Sequence, residues 1–354
     1  MSKWVSSKIS SLVKISSYQK PKRYTNVIRM DTNENLALSN RFIAGLMKEA
    51  SKKTDLREYP SYQYDQLRME LGKYLNLSKD FIAIGNGSDQ IIDLILSTFA
   101  NNSSTITINP TFTFYKDRCN LHSIKINEFT LDSDFSFNVK KFIAMSKGAR
   151  ICYICSPNNP TGNQFNKKLM MELINSFNGL IIVDEAYVEF AEYSLKNLVR
   201  THDNLIVLRT MSKAFGLAGA RVGYMISNNK IIELFINTIQ YPYPLSVQSL
   251  KTASVALSKL KYIKLVIRNI RKERKRVFDK INSFNELKAF KSDANFVLFE
   301  AGKKYQSLYR KLIKKGIVIR NIGDIDKHEG CLRVTIGTPK MNNKFLNELK
   351  VVYK

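Results

Sequence analysis

Histidine occurs only three times in 354 residues, at positions 122, 202 and 328. So small a number excludes a histidine-rich metal centre, and no metal is expected. Cysteine occurs four times, at 119, 152, 155 and 331, too sparsely for a secreted disulfide framework. A single CxxC, Cys152–Cys155, lacks the second pair that a structural zinc needs. The stretch Ile151–Cys155 reads as a buried strand, on which an odd separation puts the two thiols on opposite faces. They are expected to be structural, not a redox pair.

Long apolar runs are also missing. None approaches the ~18 residues of a membrane span, so a soluble chain without a membrane partner is expected. The first 20 residues carry Lys3, Lys8, Lys14 and Lys20 among serines and contain no arginine. They lack both the apolar centre of a secretory signal and the arginines of an organellar one. A mobile or docking arm on a cytoplasmic protein is the expectation.

Acid is scarce relative to base: 30 Asp plus Glu against 56 Lys plus Arg, a net charge of +26. That excess invites a nucleic-acid reading. The lysines are scattered along nearly the whole chain, however, and no recognition motif accompanies them, so no nucleic-acid partner is expected. What the chain has in plenty is apolar residues, 44% of the total. That excludes an extended disordered protein, and the length suggests two or three domains at ~150 residues each.

Short apolar runs alternate with helical patterns through the middle of the chain, the pattern of an α/β layer structure with a mostly parallel sheet. Strands are expected at 104–108, 123–129, 150–155, 179–184, 204–209 and 221–226. A helix is expected over 88–99, capped by Ser88 or Asp89, and another over 167–177. From Ser246 to Phe278 there is no Pro or Gly, which predicts one long helix or a bent pair. Between Lys259 and Lys280 it carries ten basic residues against two acids, read as a solvated face opposite Val266, Ile267 and Ile270. Strands near 295–299, 317–320 and 331–336, with a helix over 305–315, make a smaller C-terminal α/β unit. The division expected is 1–40 as an N-terminal arm and part of the small domain, 41–245 as the large domain, and 246–354 as the small one.

Four polar or glycine-rich stretches fall at strand ends, where open α/β sheets bind ligands. Gly85-Asn86-Gly87-Ser88-Asp89 feeds a helix N-terminus suited to an anion such as phosphate, or is simply a capped turn. Ser156-Pro157-Asn158-Asn159-Pro160-Thr161-Gly162 is a rigid loop whose asparagines can hold a fixed ligand, or a plain Asx-turn. Ile181-Ile182-Val183-Asp184-Glu185-Ala186-Tyr187 ends an apolar strand in two carboxylates. These need a cation or donors if buried, unless they turn to water. In Thr210-Met211-Ser212-Lys213 a lysine follows a strand among small residues, with Arg221 eight positions on. It is either a surface lysine or, if desolvated, a Schiff-base nucleophile for aldehydes.

Together, in this order and spacing, the four stretches resemble the fold-type I pyridoxal-phosphate enzymes of the class I/II aminotransferase superfamily, and within it the histidinol-phosphate aminotransferase branch. The resemblance runs from Met30-Asp31-Thr32-Asn33-Glu34-Asn35 through Tyr59-Pro60 to Cys331-Leu332-Arg333-Val334-Thr335-Ile336-Gly337-Thr338. It implies an α/β fold with a mostly parallel seven-stranded sheet in the large domain and a smaller C-terminal α/β domain. It also implies pyridoxal 5'-phosphate as cofactor. Lys213 would bind it covalently and shuttle a proton, and Asp184 would pair with the pyridinium nitrogen. Asn159 and Tyr187 would bond the ring's 3-oxygen, with Phe112 stacked on the ring. Gly87, Ser88 and Asp89 would seat the phosphate, helped by Thr210, Ser212 and Arg221. Tyr59 would reach that phosphate from the other subunit of a homodimer with shared sites.

For substrate, the resemblance marks Arg333 as an anion-binding arginine and Arg320 as the second arginine of the histidinol-phosphate branch. Asn35 borders the pocket. The family's usual Asn-Glu-Asn-Pro-Tyr-Gly here reads Asn33-Glu34-Asn35-Leu36-Ala37-Leu38, a departure next to the substrate. The implied activity is transfer of an amino group between an amino acid, glutamate by preference, and a small phosphorylated carbonyl compound of amino-acid biosynthesis, histidinol phosphate/imidazole acetol phosphate. Decarboxylation of an O-phosphorylated amino acid, or transamination of another phosphorylated substrate, would use the same cofactor groups. A non-catalytic anion-binding protein is disfavoured, because Lys213, Asp184, Asn159 and Arg221 are all present.

Overall fold

The computed structural model describes residues 2–13, 24–52, 54–100 and 103–353. The apolar runs of the middle segment become a seven-stranded sheet. Its strands are β2 (Ile82–Asn86), β3 (Ser104–Asn109), β4 (Lys125–Thr130), β5 (Ala149–Cys155), β6 (Leu180–Asp184), β7 (Leu205–Thr210) and β8 (Val222–Ile226). They lie in the order β2-β8-β7-β6-β5-β3-β4. β3 to β7 pair parallel, and β8 runs antiparallel to both of its neighbours. β7 is buried throughout, which explains its unbroken apolar character before Arg209: a parallel sheet is covered on both faces.

One face packs on helices Ser61–Leu75 and Val247–Ser258, the other on Gly87–Phe99 and Thr113–Leu121. Cys152 lies in the first core and Cys155 in the second, so the two thiols occupy opposite faces as their spacing requires. All four cysteines are buried and unpaired.

A second sheet, ordered β1-β11-β12-β10-β9, combines β9 (Lys288–Ala289), β10 (Phe296–Glu300), β11 (Ile317–Ile325) and β12 (His328–Thr335) with β1 (Ile28–Met30) from the opposite end of the chain. β1 pairs parallel to β11, with Arg29 opposite Val318. The segment after β1 is thereby led from the small sheet toward the large one.

Several expectations are amended. Gly85 and Asn86 are not part of a turn but end β2, paired with Gly223 and Val222; the helix begins at Gly87. The 246–278 stretch is a bent pair, Val247–Ser258 and Leu260–Ile281, broken at Lys259 and capped by Ser246. Its basic face is only partly solvated. Arg271 donates to the carbonyls of Glu189 and Ala191, and Arg274 to those of Phe190 and Ala294. Two of its cations therefore tie the helix to the segment that follows β6.

Residues Lys3–Val13 form a helix with Trp4 and Val13 exposed. The rest of the expected arm, Met1 and 14–20, lies outside the described residues. Among the described residues no helix is long and apolar enough to cross a membrane.

The buried polar anchor of the large sheet is Arg209, near the end of β7. It donates to Glu185 at 2.9 and 3.0 Å and also to Ser194, and stands 3.7 Å from Glu189. Removing the cation leaves two buried carboxylates facing one another, a change that costs ~3–5 kcal/mol in comparable buried pairs. Arg209→Ala is therefore expected to lose stability of that order in urea-melt measurements. A loss below ~1 kcal/mol would show that the pair contributes little.

Candidate active site

The carboxyl ends of β5, β6 and β7 open toward the second sheet, and the four polar stretches meet there. β6 ends at Asp184, which is 2% exposed. Its Oδ2 accepts a 2.7 Å hydrogen bond from the Tyr153 hydroxyl, and its Oδ1 accepts from the Ala186 N–H at 3.0 Å. No cation among the described residues bonds it. Burial therefore pushes its carboxyl up to about 6, against the pull of those two donors.

Lys213 follows β7 through Ser212. Its Nζ donates to the Thr32 carbonyl at 3.0 Å and sits 5.9 Å from the centre of the Tyr187 ring. Burial lowers its ammonium to about 8, with Glu34 the largest opposing influence. An amine about half neutral at pH 8, just after β7, and a buried carboxyl at the end of the neighbouring β6 that no cation among the described residues bonds are groups suited to carbonyl chemistry.

The stretch expected to seat an anion lies at the start of the helix Gly87–Phe99. Gly87 has φ +75, and a Cβ there would fall 2.4 Å from an Arg221 guanidinium nitrogen. On β8, a Cβ on Gly223 would fall 2.1 Å from the Ser88 nitrogen, so both positions must lack a side chain. The Gly87 N–H donates to the Arg221 carbonyl at 2.7 Å, and the Arg221 guanidinium bonds Asp89 at 2.7 Å. Thr210 and Ser212 hydroxyls bond each other at 2.9 Å. Gly87 and Asp89 are thus bonded to Arg221, and Thr210 to Ser212, while Thr210 pairs with Gly223, whose Cα lies against Ser88.

Asn159 and Tyr187 are bonded to the small-sheet side of the molecule. The Tyr187 hydroxyl accepts from Asn33 Nδ2 at 3.0 Å, and the Asn159 side-chain oxygen accepts from Arg333. Arg333 also donates to the Asp31 carbonyl at 2.9 Å and stacks over Phe296. Arg320 stands directly opposite Arg333 in the β11–β12 register, which places both on one face of the small sheet.

The remaining candidates have other company. Asn35 is buried, donating to the Ala214 carbonyl and accepting from Ala37, so its polar atoms hold the lysine loop. Phe112 precedes the helix Thr113–Leu121 and stacks on Phe114. Tyr59 is 75% exposed, stacks on Tyr243, and makes none of the bonds of this cluster.

Sequence reasoning singled out Asn35 but passed over Asp31, Thr32, Asn33 and Glu34, four residues of the same run. It also passed over Tyr153, read only as part of a strand. The available signal was a tyrosine in a fully buried strand, since a buried phenol seeks a hydrogen-bond partner.

A family model described as aminotransferase class I and II matches residues 25–349. The histidinol-phosphate aminotransferase of Ruminiclostridium cellulolyticum is 33% identical over 98% of both chains. The solved histidinol-phosphate aminotransferase of Clostridium acetobutylicum superposes with a TM-score of 0.83 at 29% identity, covering 92% of this chain and 99% of that one. That of Sinorhizobium meliloti, solved with pyridoxal-5'-phosphate, gives 0.83 at 23% identity over 92% and 90% of the two chains, a likeness of fold.

In the ligand-free protein, an amine-selective reagent should modify Lys213 with a pH midpoint near 8. Burial disfavours the ammonium form, so the reactive neutral amine appears well below the ~10.4 of an exposed lysine. Peptide mapping across a pH series reads this directly, and a Lys213 that titrates with the surface lysines would contradict the assignment.

Proposed function

The chain belongs to the class I and II aminotransferases, and from that premise we propose that it binds pyridoxal 5'-phosphate and transfers an amino group between glutamate and a small phosphorylated carbonyl compound, histidinol phosphate and imidazole acetol phosphate being the pair. The observation that supports this reading is a buried Lys213 with a lowered pKa just after β7 together with a buried Asp184, at the end of the neighbouring β6, that no cation among the described residues bonds.

The residues present fit that cofactor. A protonated pyridine nitrogen supplies the positive charge that Asp184 lacks. The Gly87–Asp89 helix start, with Thr210, Ser212 and Arg221, offers N–H, hydroxyl and guanidinium donors to a phosphate. Asn159 and Tyr187 carry polar groups for the ring oxygen, and Phe112 offers an aromatic face. When bound, the cofactor supplies an aldehyde that captures amines and a ring that accepts electrons from the substrate Cα.

The chain's own contribution follows from its geometry. Lys213, about half neutral at pH 8, would hold the cofactor through its aldehyde and would serve as the base that takes and returns the substrate Cα proton. Asp184 would hold the proton on the cofactor's pyridine nitrogen. Arg333 keeps Asn159 in place and, with Arg320, presents two guanidinium groups to the substrate anion. Glu34 and the Thr32 carbonyl hold Lys213 on the substrate side.

The same reading makes residues 41–245 the cofactor-binding domain and 246–354, joined by 1–40, the smaller one. It places the enzyme in the cytoplasm as a homodimer. The exposed Tyr59, among the exposed Tyr62, Tyr241 and Tyr243, supports an assembly in which Tyr59 reaches the neighbouring subunit's phosphate site.

The function is tested with a panel of amino donors and phosphorylated acceptors read by mass spectrometry. Transfer of nitrogen from glutamate to imidazole acetol phosphate is expected; loss of carbon dioxide from an O-phosphorylated amino acid would replace the transferase reading with a decarboxylase. For the substrate anion, Arg320→Ala should raise KM tens-fold or more for the phosphorylated substrate, on the order of the 1.5–3 kcal/mol of a charged hydrogen bond. KM for the dephosphorylated analogue should change much less. Equal losses for both would remove Arg320 from phosphate recognition.

A further inference from the structure

Asp184 owes its ionised form to very few groups. From β5, Tyr153 and Cys155 face it; from the helix start comes Asp89; from its own segment, Glu185 and Tyr187. Cys155 and Tyr187 are pushed up by burial and stay neutral. Asp89 is paired with Arg221, and Glu185 with Arg209. Asp89 and Glu185 both work against a second negative charge. The two donors that favour the carboxylate are the Ala186 N–H, which comes with the backbone, and the Tyr153 hydroxyl, which comes with a side chain.

Tyr153 is held as a support should be. It is fully buried, its ring stacks on Tyr115 with centroids 4.2 Å apart and planes 14° from parallel, and its carbonyl accepts from Thr107 at 2.8 Å. The ring therefore has a fixed place in the core whether or not it carries a hydroxyl. That hydroxyl donates to Asp184 Oδ2 at 2.7 Å. A carboxylate accepts this proton without rearrangement, whereas a carboxylic acid protonated on Oδ2 would have to break the bond or reverse it.

We propose that Tyr153 is a positioning residue for Asp184: its hydroxyl holds the carboxylate in the ionised form and leaves the remaining lone pairs aimed at the pocket. The inference rests on the pyridoxal-phosphate reading for its consequence. Between a buried carboxyl and a pyridine nitrogen, the proton resides on whichever is the stronger base. A carboxylate that accepts a phenol proton is the weaker base, so the proton stays on the ring. Removing the hydroxyl strengthens the carboxylate as a base and draws the proton away from the ring.

The test uses Tyr153→Phe, which keeps the stacked ring. In the cofactor-free protein labelled with 13C at aspartate carboxyls, the wild-type Asp184 signal is expected to titrate near pH 6. In the variant it should titrate about one to two pH units higher, the size of a charge-assisted hydrogen bond. In the loaded protein, the 15N signal of the cofactor's ring nitrogen should lie nearer its unprotonated position in the variant, because the shared proton moves toward the carboxyl. In an Asp184→Asn background the same Tyr153→Phe change should add nothing to the loss of cofactor affinity.

Unshifted carboxyl midpoints overturn the proposal. A shifted midpoint with unchanged ring-nitrogen titration and unchanged cofactor affinity supports the Tyr153–Asp184 coupling and instead removes Asp184 from the cofactor site, which is failure of the parent reading. If Tyr153→Phe does not fold, the wild-type protein serves. A slowly exchanging downfield hydroxyl proton that disappears in Asp184→Asn supports the bond, and its absence overturns it.

Discussion

A carboxyl group kept in a place that disfavours its charge is the constraint on which the rest of the site depends. Asp184 and Glu185 are consecutive and equally buried, yet they are treated oppositely. Alternation along the strand end turns them to different sides. Glu185 meets Arg209, Ser194 and the Leu195 N–H, a complete set of internal partners. Asp184 meets two neutral donors, Tyr153 and the Ala186 N–H. The first arrangement closes a core; the second leaves a demand for positive charge that no cation among the described residues meets.

The segment Asp31–Asn35 is the second organising feature. It leaves the small sheet after β1 and is bonded to both halves of the molecule in turn. Arg333 and Thr335 of β12 bond the Asp31 carbonyl and Asn33, and Asn295 bonds the Asn33 carbonyl. On the other side Lys213 donates to Thr32, Asn33 to Tyr187, and Asn35 to Ala214. Nearly every polar group of the segment is committed, so it fixes the distance between the lysine and the arginines. The Leu36-Ala37-Leu38 departure from the family pattern falls just beyond it. There Leu38 packs into the core, close enough to Gly216 that a Cβ on that glycine would lie 2.9 Å from it.

Charge divides in a similar way. Most of the chain's basic excess lies in the open, but Arg209, Arg274 and Arg333 are spent on interior acceptors. The planar fork of arginine reaches several such acceptors at once, which a lysine ammonium does less well. The interior cations were thus invisible in the composition, where they counted the same as the solvated ones.

The sequence by itself determined the layered α/β character and mostly parallel pairing of the large sheet, the opposite-face placement of Cys152 and Cys155, and the identity of the four strand-end stretches. These follow from local periodicity: two residues per strand repeat, apolar runs where both faces are covered, and Gly or Pro where the chain turns. Tertiary structure decided what periodicity cannot carry. That β1 joins the far end of the chain, that Gly85 and Asn86 end a strand and do not form a turn, and that Arg320 faces Arg333 are matters of pairing between distant segments. Asp184 was legible as a strand-end acid, but its partner Tyr153 lies 31 residues away. Whether a carboxyl there is neutralised, solvated or left wanting a cation depends on which neighbours fill the low-dielectric space around it. Only packing sets that.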